Sequence, residues 1–402
     1  MTLAEAPLAL MFAGLVAYAV FGGADFGAAF WQLGARGEHA PALREHAYRS
    51  MGPVWEANHV WLVFVLVICW TAYPAAFASA FSTLAIPLFL AAVGIILRGT
   101  AYAVHAGTAR EIERRAIDAV FSLSSIITPF ALGAAVGGIA SRRVPVGNAR
   151  GDLLTSWVNP TSFAVGAIAV ATGAYLAAVY LAGDAARAGR ADLAAAFRTR
   201  ALLSGVVTGA VAAAGLGVVA VDATELRDGL LELPALLAVA ASAAAGLATI
   251  ELVRRERYEA ARYLASAAVA AVVLGWPLAQ RPELLPGLTV EEAAASRPVL
   301  LATVVGVAVG ASIVLPSLTL LFGLVLRGRF DEGAETAQRR GTGRPAVAAR
   351  PLRAAAVLSL AVGLPATLLS GGGIVRAVGV TALLAFVALG WIALASSASR
   401  DV

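Results

Sequence analysis

Residues 52–78 read Gly52-Pro53-Val54-Trp55-Glu56-Ala57-Asn58-His59-Val60-Trp61 and then LVFVLVICWTAYPAAFA. A carboxylate, an amide and an imidazole stand among tryptophans at the threshold of an apolar run. Hydrocarbon solvates none of these groups, so a chain that carries them into a membrane helix has to solvate them with protein or enclosed water. The stretch therefore points to membrane helices as the fold and marks the first place to look for function.

The rest of the chain agrees. Hydrophobic residues make up 60% and charged residues 14% of its 402 positions, and the mean hydropathy is +0.81. Soluble domains are about 25% charged, so this is a polytopic membrane protein. The apolar runs approach the roughly 20 residues that a helix needs to cross hydrocarbon, which implies helices and not a barrel. The fold class is all-α. Runs at 8–33, 54–78, 80–104, 117–140, 160–182, 201–221, 234–251, 263–280, 299–326, 352–370 and 374–396 predict about eleven transmembrane helices. Spans one to four and five to eight would suit two four-helix bundles with peripheral helices beside them. The first run is too long for a signal-peptide core and lacks a basic start, so it reads as a retained span.

Cys69 is the sole cysteine and the chain has no lysine. Neither a disulfide framework nor a cysteine-ligated metal centre can be built by this chain alone. The net charge of +5 rests on arginines spread over many short loops, a pattern that excludes nucleic acid as a partner. With the N-terminus outside, 22 arginines fall in cytoplasmic segments, seven fall outside, and Arg98 lies within the third span. That asymmetry is what the positive-inside rule demands. Residues 328–350, rich in Gly, Arg and Ala, read as a cytoplasmic linker. The expected division is thus a transmembrane core at 1–330, the linker at 331–350 and a C-terminal transmembrane hairpin at 351–402.

Ionisable residues within the spans are few: Asp25 in the first, Glu56 and His59 in the second and Arg98 in the third, with His105 and Asp118 at flanking ends. Asp25 lies roughly 12 Å from the cytoplasmic end of its helix at 1.5 Å per residue. Glu56 and His59 enter from that side about one turn deep, and Arg98 lies about two turns in. Carboxylates and imidazole at one depth suit a proton-uptake path, with Asn58 orienting water. The plainer reading is an ion pair of Arg98 with Asp25 or Glu56 that locks helices together. His59 and His105 have the chemistry of haem axial ligands, although a hydrogen-bonded histidine is the simpler account. His39 and His46 sit in a charged loop and are expected to be solvated. Trp31, Trp55, Trp61, Trp70 and Trp157 read as an aromatic belt. Gly22, Gly23, Gly133, Gly137 and Gly138 would let helices approach closely.

Three segments taken together resemble subunit II of the cytochrome bd-type quinol oxidases. They are Gly22-Gly23-Ala24-Asp25-Phe26-Gly27-Ala28, the Gly52 to Trp61 stretch, and Leu97-Arg98-Gly99-Thr100-Ala101-Tyr102. The resemblance runs on through Pro129 to Gly138, Asn159-Pro160 and the span containing Pro316, covering about residues 6–330. It implies a bacterial or archaeal cell-membrane complex that oxidises quinol and reduces oxygen to water. It further implies a homologously folded partner, subunit I, carrying haem b, haem d and the quinol site, with membrane lipid around both. This chain would support assembly and part of a cytoplasmic proton path, binding no metal itself. Asp25, Asn58, Trp61, Arg98 and Gly99 match the family pattern, and Glu56 stands where many members have aspartate. The proton path would comprise Asp25, Glu56, Asn58 and His59, supported by Arg98 and Trp61. The hairpin at 351–396 and His59 are departures from the pattern. A proton-coupled secondary transporter using Asp25 and Glu56 is the rival reading. Such carriers place polar residues at the interface of two repeats, whereas spans five to eleven have no ionisable residue away from their ends.

Overall fold

The computed structural model describes residues 2–35, 40–51, 55–105, 111–326, 349–368 and parts of 374–389. The chain divides into two compact units, Met1–Gly310 and Ala311–Val402.

The first unit is built from helices with short connections. The first span is α1 (Glu5–Ala17), a π-helical turn (Tyr18–Gly22) and α2 (Gly23–Gly34) run end to end. It is followed by α3 (Ala40–Met51), α4 (Trp55–Ala72), α5 (Pro74–Thr83), α6 (Ala85–His105) and α7 (Glu111–Ala140). Next come α8 (Pro160–Arg187), α9 (Ala191–Asp222), α10 (Thr224–Leu231), α11 (Leu233–Arg254) and α12 (Tyr258–Gln280). A two-stranded hairpin, β1 (Glu283–Leu285) and β2 (Leu288–Thr289), leads through α13 (Val290–Ala293) into α14 (Arg297–Leu326). In the second unit, α15 (Ala349–Leu368) places Gly363 against the backbone of Gly379 and Leu383.

Eight helices among the described residues are long and apolar enough to cross a membrane, and two shorter apolar helices cover Asn58–Ala72 and Ala354–Gly363. The expected count of eleven is not confirmed among the described residues, and the second predicted span ends earlier than expected. Residues 54–78 form α4 only as far as Ala72, because Pro74 lacks a backbone donor and forces its predecessor out of the helical region. Tyr73 accordingly sits at φ −135°, ψ 60°, and Pro74 opens the separate helix α5. Most of the last predicted span, 374–396, and the linker at 327–348 lie outside the described residues.

The first span packs with α4 and α7, α6 packs with α7 and reaches α2 through Arg98, and α8 packs with α9, α7, α2 and α12, while α11 packs with α12 and α9. The expected spans one to four and five to eight are thus joined by α8, which lies against both α2 and α7. In hydrocarbon, close packing of small residues replaces hydrophobic burial as the means of association. The α2–α8 crossing shows this most sharply: a Cβ on Gly27 would sit 1.9 Å from the Gly173 carbonyl oxygen. Gly133 and Gly137 on α7 are equally committed, with Gly166 and Ser162 of α8 less than 3 Å from their missing side chains. Gly22 and Gly23 make ordinary or slightly tight contacts, so the tightest glycine is one the sequence reading passed over.

Charged loop residues sort the chain to two ends. Arg142 pairs with Glu225 at 2.6 Å and Glu283 at 2.7 Å, and Arg143 with Asp222 at 2.8 Å. These residues all lie in segments assigned outside by the arginine count. At the other end, Asp184 engages Arg187 and Arg262. The helix α3 corrects the solvated-loop reading of His46, whose Nε2 lies 3.1 Å from the Leu181 carbonyl and whose ring lies 5.6 Å from Phe197. Ala47 and Leu43 of α3 are buried in the same cluster as Leu181 and Phe197. Trp31 is likewise more than a belt residue, since its Nε1 donates to the Ala174 carbonyl at 2.8 Å and ties α2 to α8.

Gly27→Ala should force α2 and α8 apart and destabilise the folded chain by at least the roughly 1–3 kcal/mol typical of overpacking. Gly34→Ala, with nothing within 4 Å of the added atom, serves as the control. Thermal midpoints of the two variants in one detergent should separate them clearly.

Candidate functional site

Asp25, in the first turn of α2, and Arg98, on α6, are each 1% exposed and meet with Nη2 2.6 Å from Oδ1. The same Nη2 donates to the backbone carbonyl of Asp25 at 3.1 Å. Nη1 donates to Ser125 Oγ of α7, whose hydroxyl in turn donates to the Phe121 carbonyl at 2.6 Å. The guanidinium carbon lies 4.3 Å from the Phe121 ring centroid and 5.0 Å from that of Phe26. One arginine thus ties together α2, α6 and α7. Taking two charges out of water costs several kcal/mol each, and this ring of donors, acceptors and aromatic faces offsets that cost.

The pair is not saturated. Asp25 Oδ2 and Arg98 Nε are buried and make no hydrogen bond among the described residues. Asp25 and Arg98 form the inner wall of a small cleft that also includes Ala28, Ala29, Gln32, Tyr48, Tyr102 and Phe121. The cleft extends from Asp25 toward the Gly34 end of the first span, where Tyr48 of α3 stacks on Tyr102 of α6 at 5.3 Å with 24° between the rings. Burial, together with the neighbouring phenol, carboxylates of Glu45 and Asp118, holds the Tyr48 hydroxyl above the usual phenol range. Tyr48 therefore stays a neutral donor and acceptor over the physiological range.

On the opposite side of Asp25 the chain departs from α-helical geometry. The Gly23 amide reaches back five residues to the Tyr18 carbonyl, the mark of a π-turn. Such turns leave backbone groups outside the regular ladder and recur at functional sites. Asn58 Nδ2 donates to a carbonyl within the turn, that of Phe21, at 3.3 Å. His59, half-buried on α4, is an electrostatic neighbour of Asp25. Trp61 packs edge-on against Phe64 at 6.4 Å. The structure therefore brings Asp25, Arg98, Asn58 and His59 together, and Trp61 serves the helix packing beside them. Glu56 lies at the start of α4, and its side chain is outside the described residues.

Sequence reasoning passed over Ser125, the two phenylalanine rings, Gln32, Tyr48 and Tyr102. Tyr18, a buried hydroxyl beside the π-turn, was missed as well. For haem, the cleft is a poor match: no imidazole, thiol or thioether lines it. Among the described residues no three of His, Cys, Asp or Glu converge as a metal-holding group.

Comparison with known proteins places this geometry. The pattern of the family described as cytochrome bd terminal oxidase subunit II matches residues 3–325. A protein of Bacillus subtilis (strain 168), described provisionally as a cytochrome bd menaquinol oxidase subunit II, is 26% identical over 195 residues. That alignment takes in 48% of this chain and 55% of the relative, so the chain spans about half the length of the curated relative it matches. A chain in the structure of bd oxidase from Geobacillus thermodenitrificans superposes with a TM-score of 0.63 at 24% identity. The superposition covers 81% of this chain and 99% of that one, a likeness of fold.

Arg98→Met should destabilise the protein by about 3–5 kcal/mol, because it leaves a buried carboxylate uncompensated. Adding Asp25→Asn should recover part of that loss. A double-mutant cycle on thermal midpoints with strictly additive effects would show that the pair is not coupled.

Proposed function

Since the chain belongs to the cytochrome bd terminal oxidase subunit II family, we propose that it is the subunit of a quinol:oxygen oxidoreductase that binds no haem and conducts protons to it from the cytoplasmic side. The redox chemistry, with haem b and haem d, belongs in this reading to a partner subunit I. Quinol and oxygen are the substrates of the complex. Menaquinol, named for the Bacillus subtilis relative, is the first quinol to supply in an assay.

One observation carries the proton reading: Asp25 is buried with one carboxylate oxygen pinned by Arg98 and the other unpartnered beside a cleft. Burial opposes the carboxylate charge and the guanidinium supports it, and a group held between two such pulls is suited to changing its protonation. Oδ1 stays in the ion pair while Oδ2 receives the proton. Gln32, Tyr48 and Tyr102 line the access from the cytoplasmic end and offer hydrogen-bonding groups without net charge. Asn58 fixes the π-turn through the Phe21 carbonyl, and His59 biases the local field. Glu56, one turn above His59 in the sequence pattern, completes the acidic set.

A proton-coupled transporter has less support. Its expected signature is polar residues deep in both halves, whereas the buried polar residues of α8, α9, α11 and α12 are the hydroxyl-bearing Thr161, Ser162, Ser204 and Thr249, with no fully buried carboxylate or guanidinium among the described residues there.

In a complex purified with its partner, Asp25→Asn should lower quinol-driven oxygen consumption per haem by about a hundredfold, the low end for loss of a proton-transfer group. Glu56→Gln should slow it less, with the reduced-minus-oxidised haem spectrum intact in both. Full turnover per haem in Asp25→Asn would end the proton reading, and loss of haem in proportion to activity would assign the residue to assembly.

A further inference from the structure

The first span holds a second buried hydroxyl that the ion pair does not use. Tyr18 is 7% exposed, and its hydroxyl makes no hydrogen bond among the described residues. Leaving such a group unpaired costs about 1–3 kcal/mol, more than a residue with no task would sustain where phenylalanine fits the same space. The ring is steered by the backbone. A Cβ on Gly22 would lie 3.1 Å from two ring carbons of Tyr18, so the absence of that atom lets the ring fold over the residue four positions ahead. The ring thus lies against the Gly22 position, one turn nearer Asp25 in the chain, and Asp25 and Arg98 are its charged electrostatic neighbours.

Two unpartnered buried oxygens, Asp25 Oδ2 and the Tyr18 hydroxyl, therefore belong to one electrostatic neighbourhood. They lie on opposite sides of the π-turn from the point of view of access. The cleft is lined by residues at and beyond Asp25, and Tyr18 is not among them. Transfer between them requires a bridging water, which buried polar groups of this kind can hold with roughly two to four partners.

We infer that Tyr18 is the next proton carrier after Asp25, passing protons from the cleft toward the N-terminal half of the first span. The inference rests on the proton reading above. In the step, the protonated Asp25 oxygen gives its proton through a bridging water to the Tyr18 oxygen while the original phenolic proton leaves to a water beyond. One O–H bond forms as another breaks, and the phenol remains neutral throughout. Gly22 is the positioning residue, because any side chain there would push the ring off its course.

Tyr18→Phe removes one atom and preserves the ring. In the purified complex with its haem-bearing partner, this variant should lose at least roughly tenfold in oxygen consumption per haem, less than the factor of about a hundred or more that a general acid or base supplies in a chemical step. The solvent deuterium effect on turnover should rise, the haem spectrum should stay as in the unmodified complex, and the thermal midpoint should be no lower, since an unpaired buried hydroxyl is removed. Gly22→Ala, which keeps the hydroxyl but displaces it, should show the same slowing. Unchanged turnover in Tyr18→Phe alongside slowed Asp25→Asn overturns the inference and leaves the proton reading standing. Unchanged turnover in both removes the reading itself. Should Tyr18→Phe fail to assemble, full turnover per haem in assembled Gly22→Ala overturns the inference, and slowed turnover with a raised deuterium effect supports it.

Discussion

The buried contact between Arg98 and Asp25 organises the first half of this protein. A guanidinium at 1% exposure in a membrane helix is tolerable only if most of it is answered by partners, even with Nε lacking a hydrogen bond among the described residues. Here a carboxylate, a backbone carbonyl, a serine hydroxyl and two aromatic faces do so from α2, α6 and α7. The same contact fixes the depth of Asp25, and with it the position of the cleft that ends on its free oxygen.

That position also depends on the opposite face of the first span. Gly27 and Gly173 bring α2 and α8 to backbone contact, and Trp31 pins the next turn through the Ala174 carbonyl. Clamped between α8 on one side and Arg98 on the other, α2 has little freedom to shift. The irregular backbone is placed just before it, at Tyr18–Gly22, where Asn58 supplies the polar partner that the π-turn needs. Irregular backbone at membrane depth survives only where protein satisfies it.

Much of this arrangement was legible in the sequence. Asp25, Arg98 and Asn58 stand out because an apolar run makes any polar residue conspicuous, and counting residues from the helix ends placed them at one depth. Ser125 did not stand out, since a serine in a membrane helix ordinarily bonds its own turn, as Ser125 also does through the Phe121 carbonyl. Tyr18 was hidden for a different reason. Its relation to Asp25 runs across a π-turn, where helical periodicity loses phase, and through a ring orientation that only Gly22 permits. The break at Pro74 was in plain view in the sequence, but hydropathy averages over a proline that backbone geometry does not forgive. Docking of α3 through His46 was illegible because its partner, the Leu181 carbonyl, is 135 positions away.

The protein contains a second arginine–aspartate pair that shows what a purely structural one looks like. Arg143 holds both oxygens of Asp222 at 2.8 and 3.0 Å, and Thr161 adds its amide and hydroxyl at 3.1 and 2.6 Å. Both oxygens of that carboxylate are bonded, and the group closes the junction of α9 with the start of α8. Protonating it would weaken these contacts together, so it favours the charged form. Asp25 has the same kind of partner yet keeps one oxygen without a hydrogen bond among the described residues, so a proton there displaces no donor and weakens only the ion pair. The difference between the two sites is a count of bonded oxygens, and it separates a clamp from the site proposed above to take and release a proton.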